Sequence, residues 1–155
     1  MYRFSCRVFA AVFAAGFVAS SAQASSVRFT EYQSEGAGAS GQRAREYFEL
    51  TNLGDSVESL AGWTYNDNNP NNPVGIGDVI GVLAPGESAI VTELAPEDFR
   101  WIWGLSASVR IASIGGSSNM GDNDTINIYD SSDQTAAHLV DSLLYTSALR
   151  ERGFT

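Results

Sequence analysis

The chain contains 155 residues, of which 44% are hydrophobic and 17% are charged, so its composition is that of a globular protein rather than a disordered one. A chain of this length has room for one domain. Its formal charge of −9 argues against a protein whose main task is to bind nucleic-acid phosphates.

Residues 1–24 have the composition of a secretory signal peptide. Their features are two early arginines, an apolar stretch and a small-residue cleavage pattern: Arg3, Arg7, Val8–Ala19 and Ala22–Ala24. The apolar stretch is shorter than the roughly 18 to 20 residues of a transmembrane helix, and no later stretch approaches that length. We therefore predict cleavage after Ala24 and export to the periplasm, the cell surface or the medium. The mature domain is expected at 25–155, with no transmembrane segment.

Cys6 is the only cysteine, and it lies inside the predicted signal peptide. The mature chain is therefore expected to have no disulfide, although an exported protein meets an oxidising environment. Burial of a hydrophobic core must then hold the domain together, and its length is sufficient for that.

Two-residue alternation of apolar and polar side chains recurs along the mature chain, whereas helical periodicity is short. In Tyr47–Thr51, we expect Phe48 and Leu50 to face a core, while Glu49 and Thr51 face water. The predicted strands are Val27–Glu31, Tyr47–Thr51, Trp63–Tyr65, Val79–Val82, Ser88–Thr92, Arg110–Ile114, Thr125–Tyr129 and Leu139–Tyr145.

Turn signals separate these strands at short intervals, a spacing typical of a β-sandwich or barrel. They are Asn52–Asp55, Ala84–Gly86, Gly115–Ser118 and Asp130–Asp133. Pro96–Trp101 is the one predicted helix, because it begins with proline and has two acidic residues in its first turn. Gly36–Gly41 and Asn66–Asn72 are predicted surface loops.

Five segments, taken in order, resemble the lamin-tail domain, which occurs in nuclear lamins and in exported bacterial proteins. The Leu-x-Gly-Trp sequence at Leu60–Trp63 is the most specific of them. The segments are Glu46–Asn52, Leu60–Asp67, Leu83–Glu87, Gly121–Asp130 and Val140–Tyr145. Trp63 is expected to fill the centre of a small sandwich, and Gly86 to supply a turn position with positive φ.

The resemblance implies an all-β fold, an immunoglobulin-like antiparallel β-sandwich with Greek-key type connections. Its strands would extend from about residue 27 to residue 147. In bacterial proteins that resemble this one, such a domain often accompanies an exported hydrolase or a surface-attachment segment.

Residue types that support catalysis are scarce in this chain. His138 is the only histidine, and we expect it at a surface or strand-edge position. No Gly-x-Ser-x-Gly turn is present, and Gly115–Ser118 lacks the lysine of a phosphate-binding loop. We therefore predict that the chain is not an enzyme and has no catalytic residues and no organic cofactor.

Calcium is the one metal for which the sequence offers ligands, since Ca²⁺ binds carboxylate and amide oxygens. The candidates are Asp67, in an asparagine-rich loop, and Asp122 with Asp124, which would share one face of an extended segment. Neither segment matches an EF-hand loop. Asp and Asn also suit turns because their side chains bond to the local backbone, and that explanation stays open.

Trp101 and Trp103 are the candidate binding residues, because exposed aromatic side chains stack on sugars, peptides or lipid interfaces. In a strand these two side chains would share one face. The alternative is that they cap the core of the sandwich.

These observations favour a non-catalytic exported interaction or targeting module whose partner is an unknown protein or glycan. Nucleic acid is not expected as a partner. The alternative is an N-terminal accessory domain of a longer exported hydrolase, of the nuclease or phosphatase class, whose catalytic region this chain does not contain.

Overall fold

The computed structural model describes residues 24–34, 46–115, 120–121, 123–146 and 151–153. The predicted signal peptide, apart from Ala24, and the predicted loop at 36–41 lie outside the described residues. Within the described part of the chain, no helix is both long and apolar enough to span a bilayer.

Five strands form the larger sheet, in the order β11-β1-β2-β7-β8. Their bounds are β1 Val27–Gln33, β2 Tyr47–Asn52, β7 Ser88–Thr92, β8 Arg110–Ser113 and β11 Glu151–Gly153. The pairs β11–β1, β1–β2 and β2–β7 are antiparallel, as the expected antiparallel β-sandwich requires, and β7–β8 at the edge of the sheet is a parallel pair. Helix α2, Pro96–Trp103, connects β7 to β8, as a parallel pair needs a crossover connection.

Four strands form the second sheet, in the order β10-β9-β4-β5, and two short strands, β3 and β6, pair separately. The remaining bounds are β3 Glu58–Ser59, β4 Thr64–Asn66, β5 Val74–Gly75, α1 Gly77–Ile80, β6 Val82–Leu83, β9 Asp124–Tyr129 and β10 Leu139–Tyr145.

The inner faces of both sheets contribute to one hydrophobic core, which makes the fold a β-sandwich. Phe48 and Leu50 of β2 point into this core, as the alternation of the sequence predicts. Glu49 and Thr51 lie on the opposite face of β2. Thr51 is nevertheless buried, because it lies between Thr30 and Ser88 on that face. Its hydroxyl group forms hydrogen bonds with the hydroxyl groups of both residues.

Most predicted strands are confirmed to within two residues, but the strand at Val79–Val82 is wrong. Its first half belongs to α1, where Val79 is exposed, and Gly81 (φ 80°) separates the helix from β6. A short apolar run does not by itself distinguish a strand from a helical turn. The short strands β3, β5 and β11 have no counterpart among the predictions.

Asn66 corrects a second expectation, since it lies in β4 and is buried rather than in a surface loop. Its amide group donates to Gln134 Oε1 (2.7 Å), and its Oδ1 accepts from the Asn127 amide (3.0 Å) and the Asn68 N–H (3.0 Å). These bonds satisfy the buried polar side chain, as burial requires. The asparagine-rich loop therefore begins one residue later.

Trp63 is buried in the core, as expected, and the turn that precedes it packs against Gly77. The carbonyl oxygen of Trp63 accepts the N–H groups of both Ile76 and Gly77, each at 3.1 Å. A Cβ atom on Gly77 would lie 1.6 Å from the Leu60 carbonyl oxygen. Only glycine therefore permits this contact between the two backbone segments.

We expect Gly77→Ala to lower the free energy of unfolding by at least about 2 kcal/mol, because the backbone of one segment must move to admit the methyl group. Urea unfolding of the mature chain, followed by tryptophan fluorescence, measures this loss. Gly75→Ala is the control, since a Cβ atom there meets nothing within 4 Å. Equal stability of the two variants would contradict the packing.

Glu87 ties the turn before β7 to the start of β8. Its Oε1 accepts from Arg110 Nε (2.7 Å) and its Oε2 from the Ala84 N–H (2.9 Å). Arg110 also donates to the Ile80 carbonyl oxygen (2.9 Å), so that α1 joins the same network. The hydrogen bond from Arg110, followed by that from Ala84, lowers the pKa of Glu87 below its usual 4.5.

A lowered pKa in the folded state stabilises the protein above the pKa of the unfolded state, and this contribution is lost as the pH falls through the lowered value. We therefore expect Glu87→Gln to be less stable than the parent chain at pH 7. The difference should shrink as the pH falls below 4.5. Urea unfolding across this range is the measurement, and a pH-independent difference would contradict the ionic contribution.

Candidate functional site

The outer face of the larger sheet carries a second hydrophobic cluster, separate from the core. It comprises four buried side chains from β2, β7, α2 and β8: Tyr47, Ile90, Phe99 and Ile111. Tyr47 points away from the core because it alternates with Phe48 along the strand. Helix α2 covers this cluster, so both faces of the sheet are partly buried.

The sequence of α2 explains where the helix begins and ends. Pro96 is its first residue, where a missing N–H costs nothing, and Glu97 and Asp98 follow in the first turn, beside the positive end of the helix dipole. Gly104 ends the helix in the left-handed conformation (φ 64°). Phe99, 1% exposed, is the side chain that fixes α2 to the sheet.

Tyr47, Phe99 and Trp103 form a group of three mutually contacting rings. The Tyr47 ring meets Phe99 edge-on (centroids 5.3 Å apart, 76°) and meets Trp103 in the same way (5.4 Å, 74°). The Phe99 and Trp103 rings are 5.9 Å apart. Edge-to-face contacts of this kind are favourable beyond the area they bury, so the three rings hold one another in place.

A cavity of about 180 Å³, the cavity beneath α2, opens beside these rings. Its lining is predominantly apolar, but it includes two carboxylates. The lining residues are Glu31, Tyr47, Glu49, Ile90, Phe99, Trp103 and Leu105. Among the described residues that line it, none is basic. The cavity is smaller than the roughly 300 to 1,000 Å³ of sites for drug-sized ligands, so it fits a single side chain or a group of that size.

A β-bulge in β1 brings Glu31 to this cavity. Phe29 pairs with Leu50 and Glu31 pairs with Glu49, so that Thr30 is an extra residue between the two pairs. In the regular alternation of the sequence, Glu31 would share the inner face with Phe29. The bulge re-aims Glu31 to the outer face, directly opposite Glu49.

Hydroxyl groups hold both carboxylates in place. Thr30 Oγ1 donates to Glu49 Oε1 (2.6 Å), Thr51 Oγ1 lies 3.4 Å from the same oxygen, and the Tyr47 hydroxyl group donates to Glu31 Oε1. These contacts use only the Oε1 atoms. Within the described part of the chain, no donor bonds to the Oε2 atom of Glu31 or of Glu49, so both atoms can still accept hydrogen bonds.

The structure separates the two tryptophans that the sequence singles out. They lie on α2 rather than on a strand, so the expectation that they share one face is wrong, because residues two apart on a helix point in different directions. Trp101 is 85% exposed and does not line the cavity, whereas Trp103, 40% exposed, does. Sequence reasoning missed Glu31, Tyr47, Glu49 and Phe99 as site residues.

Of the calcium candidates, Asp122 lies outside the described residues, and Asp67 and Asp124 lie near two buried tyrosines. Burial, with the negative charges of both aspartates, raises the pKa of Tyr65 and of Tyr145 far above the usual value. The Oδ1 atom of Asp124 accepts the Thr125 N–H (2.8 Å). In the described part of the chain, no three His, Cys, Asp or Glu side chains come together in a way that could hold a metal ion.

His138 lies at the surface, immediately before β10, where its Nδ1 is 2.7 Å from Asp130 Oδ1. A second, more polar cavity of about 290 Å³ adjoins this pair. Its described lining residues include both Arg28 and Asp130, so charges of opposite sign are present, and none of these described residues is aromatic. It offers less basis for selective binding than the cavity beneath α2.

Truncating the buried side chain of Phe99 tests how α2 packs on the sheet. We expect Phe99→Ala to lower the free energy of unfolding by about 3 kcal/mol, the usual cost of emptying a buried phenylalanine site. Trp101→Ala, on the same helix, should change it by less than about 0.5 kcal/mol because Trp101 is exposed. Urea unfolding compares the two, and a small effect of Phe99→Ala would contradict the anchoring role.

Comparison with known proteins identifies the domain. The model of the Lamin Tail Domain family matches residues 20–147, which is most of the chain and includes every described strand except β11. A search of curated proteins found no match. The chain therefore belongs to the lamin tail domain family, whose members are non-catalytic domains with an immunoglobulin-like fold.

Proposed function

We propose that this chain is a non-catalytic, exported interaction or targeting module and that it binds its partner at the cavity beneath α2. The observation that carries the proposal is the group of three aromatic rings, Tyr47, Phe99 and Trp103, beside an open cavity. Aromatic side chains dominate the binding energy of many interfaces. A pocket with such a lining suits recognition of a partner better than it suits catalysis.

Two further observations support a binding role without catalysis. The single histidine, His138, is paired with Asp130 and does not line the cavity beneath α2. Cys6 lies within the predicted signal peptide, so the mature chain offers no thiol nucleophile. The negative charge of the chain disfavours nucleic acid. The aromatic lining of the cavity is of a kind that suits a protein or a glycan as the partner.

Export rests on the sequence of residues 1–24, with its early arginines, its apolar stretch and its small residues before Ser25. We expect the protein recovered from the exported fraction to have an intact mass below the 16.6 kDa of the full chain, by the mass of residues 1–24. Intact-mass spectrometry is the test. Recovery at 16.6 kDa would contradict cleavage, and a much larger mass would favour the accessory-domain alternative.

The binding role is tested by capture from envelope extract with the immobilised mature chain. We expect the parent chain and Trp101→Ala to retain the same partner, and Trp103→Ala to lose it, since only Trp103 lines the cavity. Assays for nuclease and phosphatase activity on the same preparation should give no turnover. Equal capture by all three proteins would contradict the proposed location, and measurable turnover would contradict the absence of catalysis.

A further inference from the structure

Two glutamate side chains of like charge, Glu31 and Glu49, lie next to each other in the lining of the cavity beneath α2. Glu31 and Glu49 are cross-strand partners on the same face of the sheet. The Cβ atoms of such partners lie about 4.5 to 5.5 Å apart, and like charges in this position destabilise the sheet. The bulge at Thr30 is what creates this pair, because an unbulged β1 would place Thr30, rather than Glu31, opposite Glu49.

A cation bound between the two carboxylates would relieve this repulsion. The hydroxyl groups of Thr30 and Tyr47 already orient Glu49 and Glu31 through their Oε1 atoms. The two Oε2 atoms supply the acceptors that a cationic donor needs. Charge complementarity therefore specifies a positively charged occupant.

The aromatic walls indicate which kind of cation fits. Two carboxylates fall short of the six to eight oxygen ligands that calcium takes, and the rest of the lining is apolar or aromatic. An organic cation gains instead from the Trp103 ring, which lines the cavity and is 40% exposed. Among side chains, the planar guanidinium of arginine stacks on rings and donates to two carboxylate oxygens at once, whereas the lysine ammonium is a point charge.

We propose that the cavity formed by Glu31, Glu49, Tyr47, Phe99 and Trp103 is a receptor for an arginine side chain presented by a partner protein. The proposal rests on the binding role proposed above and specifies the chemistry that the site recognises. The volume of about 180 Å³ matches a single side chain rather than a whole small molecule. In this arrangement Trp103, a lining residue that is 40% exposed, packs on the stem of the arginine while the guanidinium reaches the carboxylates.

The test uses two matched probes, N-acetyl-arginine methylamide and N-acetyl-citrulline methylamide, which have nearly the same shape and differ in charge. NMR titration of the mature chain follows the indole N–H signal of Trp103. We expect the arginine probe to shift this signal saturably, and the citrulline probe to bind at least about tenfold more weakly because it lacks the charge. Equal binding of both probes, or no binding of the arginine probe, would overturn the proposal.

Variants separate the site from the overall negative charge. Glu31→Gln/Glu49→Gln keeps the shape of the cavity and should abolish binding of the arginine probe. Asp55→Asn/Asp133→Asn removes the same charge from exposed positions outside α2 and outside the cavity lining, and should leave binding unchanged. Thermal unfolding gives an independent measure. The probe should raise the melting temperature of the parent chain but not that of the Glu31/Glu49 variant, and an equal rise in both would count against the site.

This experiment distinguishes the two proposals. If Trp103→Ala abolishes capture of the partner but the arginine probe does not bind, the cavity is a binding site for another chemistry and the arginine inference is wrong. If the arginine probe binds as expected but capture does not depend on Trp103, the chemistry of the cavity stands and the proposed binding role fails.

Discussion

The contact between Tyr47 and Phe99 is the interaction on which the outer half of this domain depends. Strand β2 lies at the centre of the larger sheet, with Phe48 and Leu50 in the core and Tyr47 on the opposite face. Phe99 packs on Tyr47 and holds α2 across the sheet. Without that contact, the outer face of β2 would be an open sheet surface rather than the wall of a cavity.

The same strand explains why the crossover between β7 and β8 matters to the site. A parallel pair requires a connection that returns across the sheet, and here that connection contains α2. The helix brings Trp103 over Tyr47, and β1 brings Glu31 beside Glu49 through its bulge. The cavity is therefore a product of two local features of the sandwich, the crossover helix α2 and the bulge in β1.

The fold could be predicted from the sequence to a large extent, and the site only in part. Alternation in Tyr47–Thr51 gives the correct faces of β2, and the Leu60–Trp63 motif correctly places Trp63 in the core. The bulge at Thr30 cannot be recognised from the alternation of β1 itself. It is defined by the register of β1 against β2, a separate segment of the sequence. Glu31 therefore could not be assigned to the outer face.

The two tryptophans illustrate the same limit. Their spacing predicts a shared face in a strand and different directions in a helix, and Pro96 and Gly104 decide between the two. The sequence predicts the helix as far as Trp101, whereas α2 ends two residues later, at Trp103. The two residues between the predicted end and the observed end include Trp103, which lines the cavity. Trp101, at the predicted end, is exposed.

Oxidative footprinting of tryptophans is the most direct test of the central claim, that the partner occupies the cavity beneath α2. The mature chain would be exposed to hydroxyl radicals alone and in its captured complex, and oxidation at each tryptophan quantified by mass spectrometry. We predict that the partner protects Trp103 while Trp101 stays equally reactive. Unchanged oxidation of Trp103 in a complex that protects other surfaces would contradict the account.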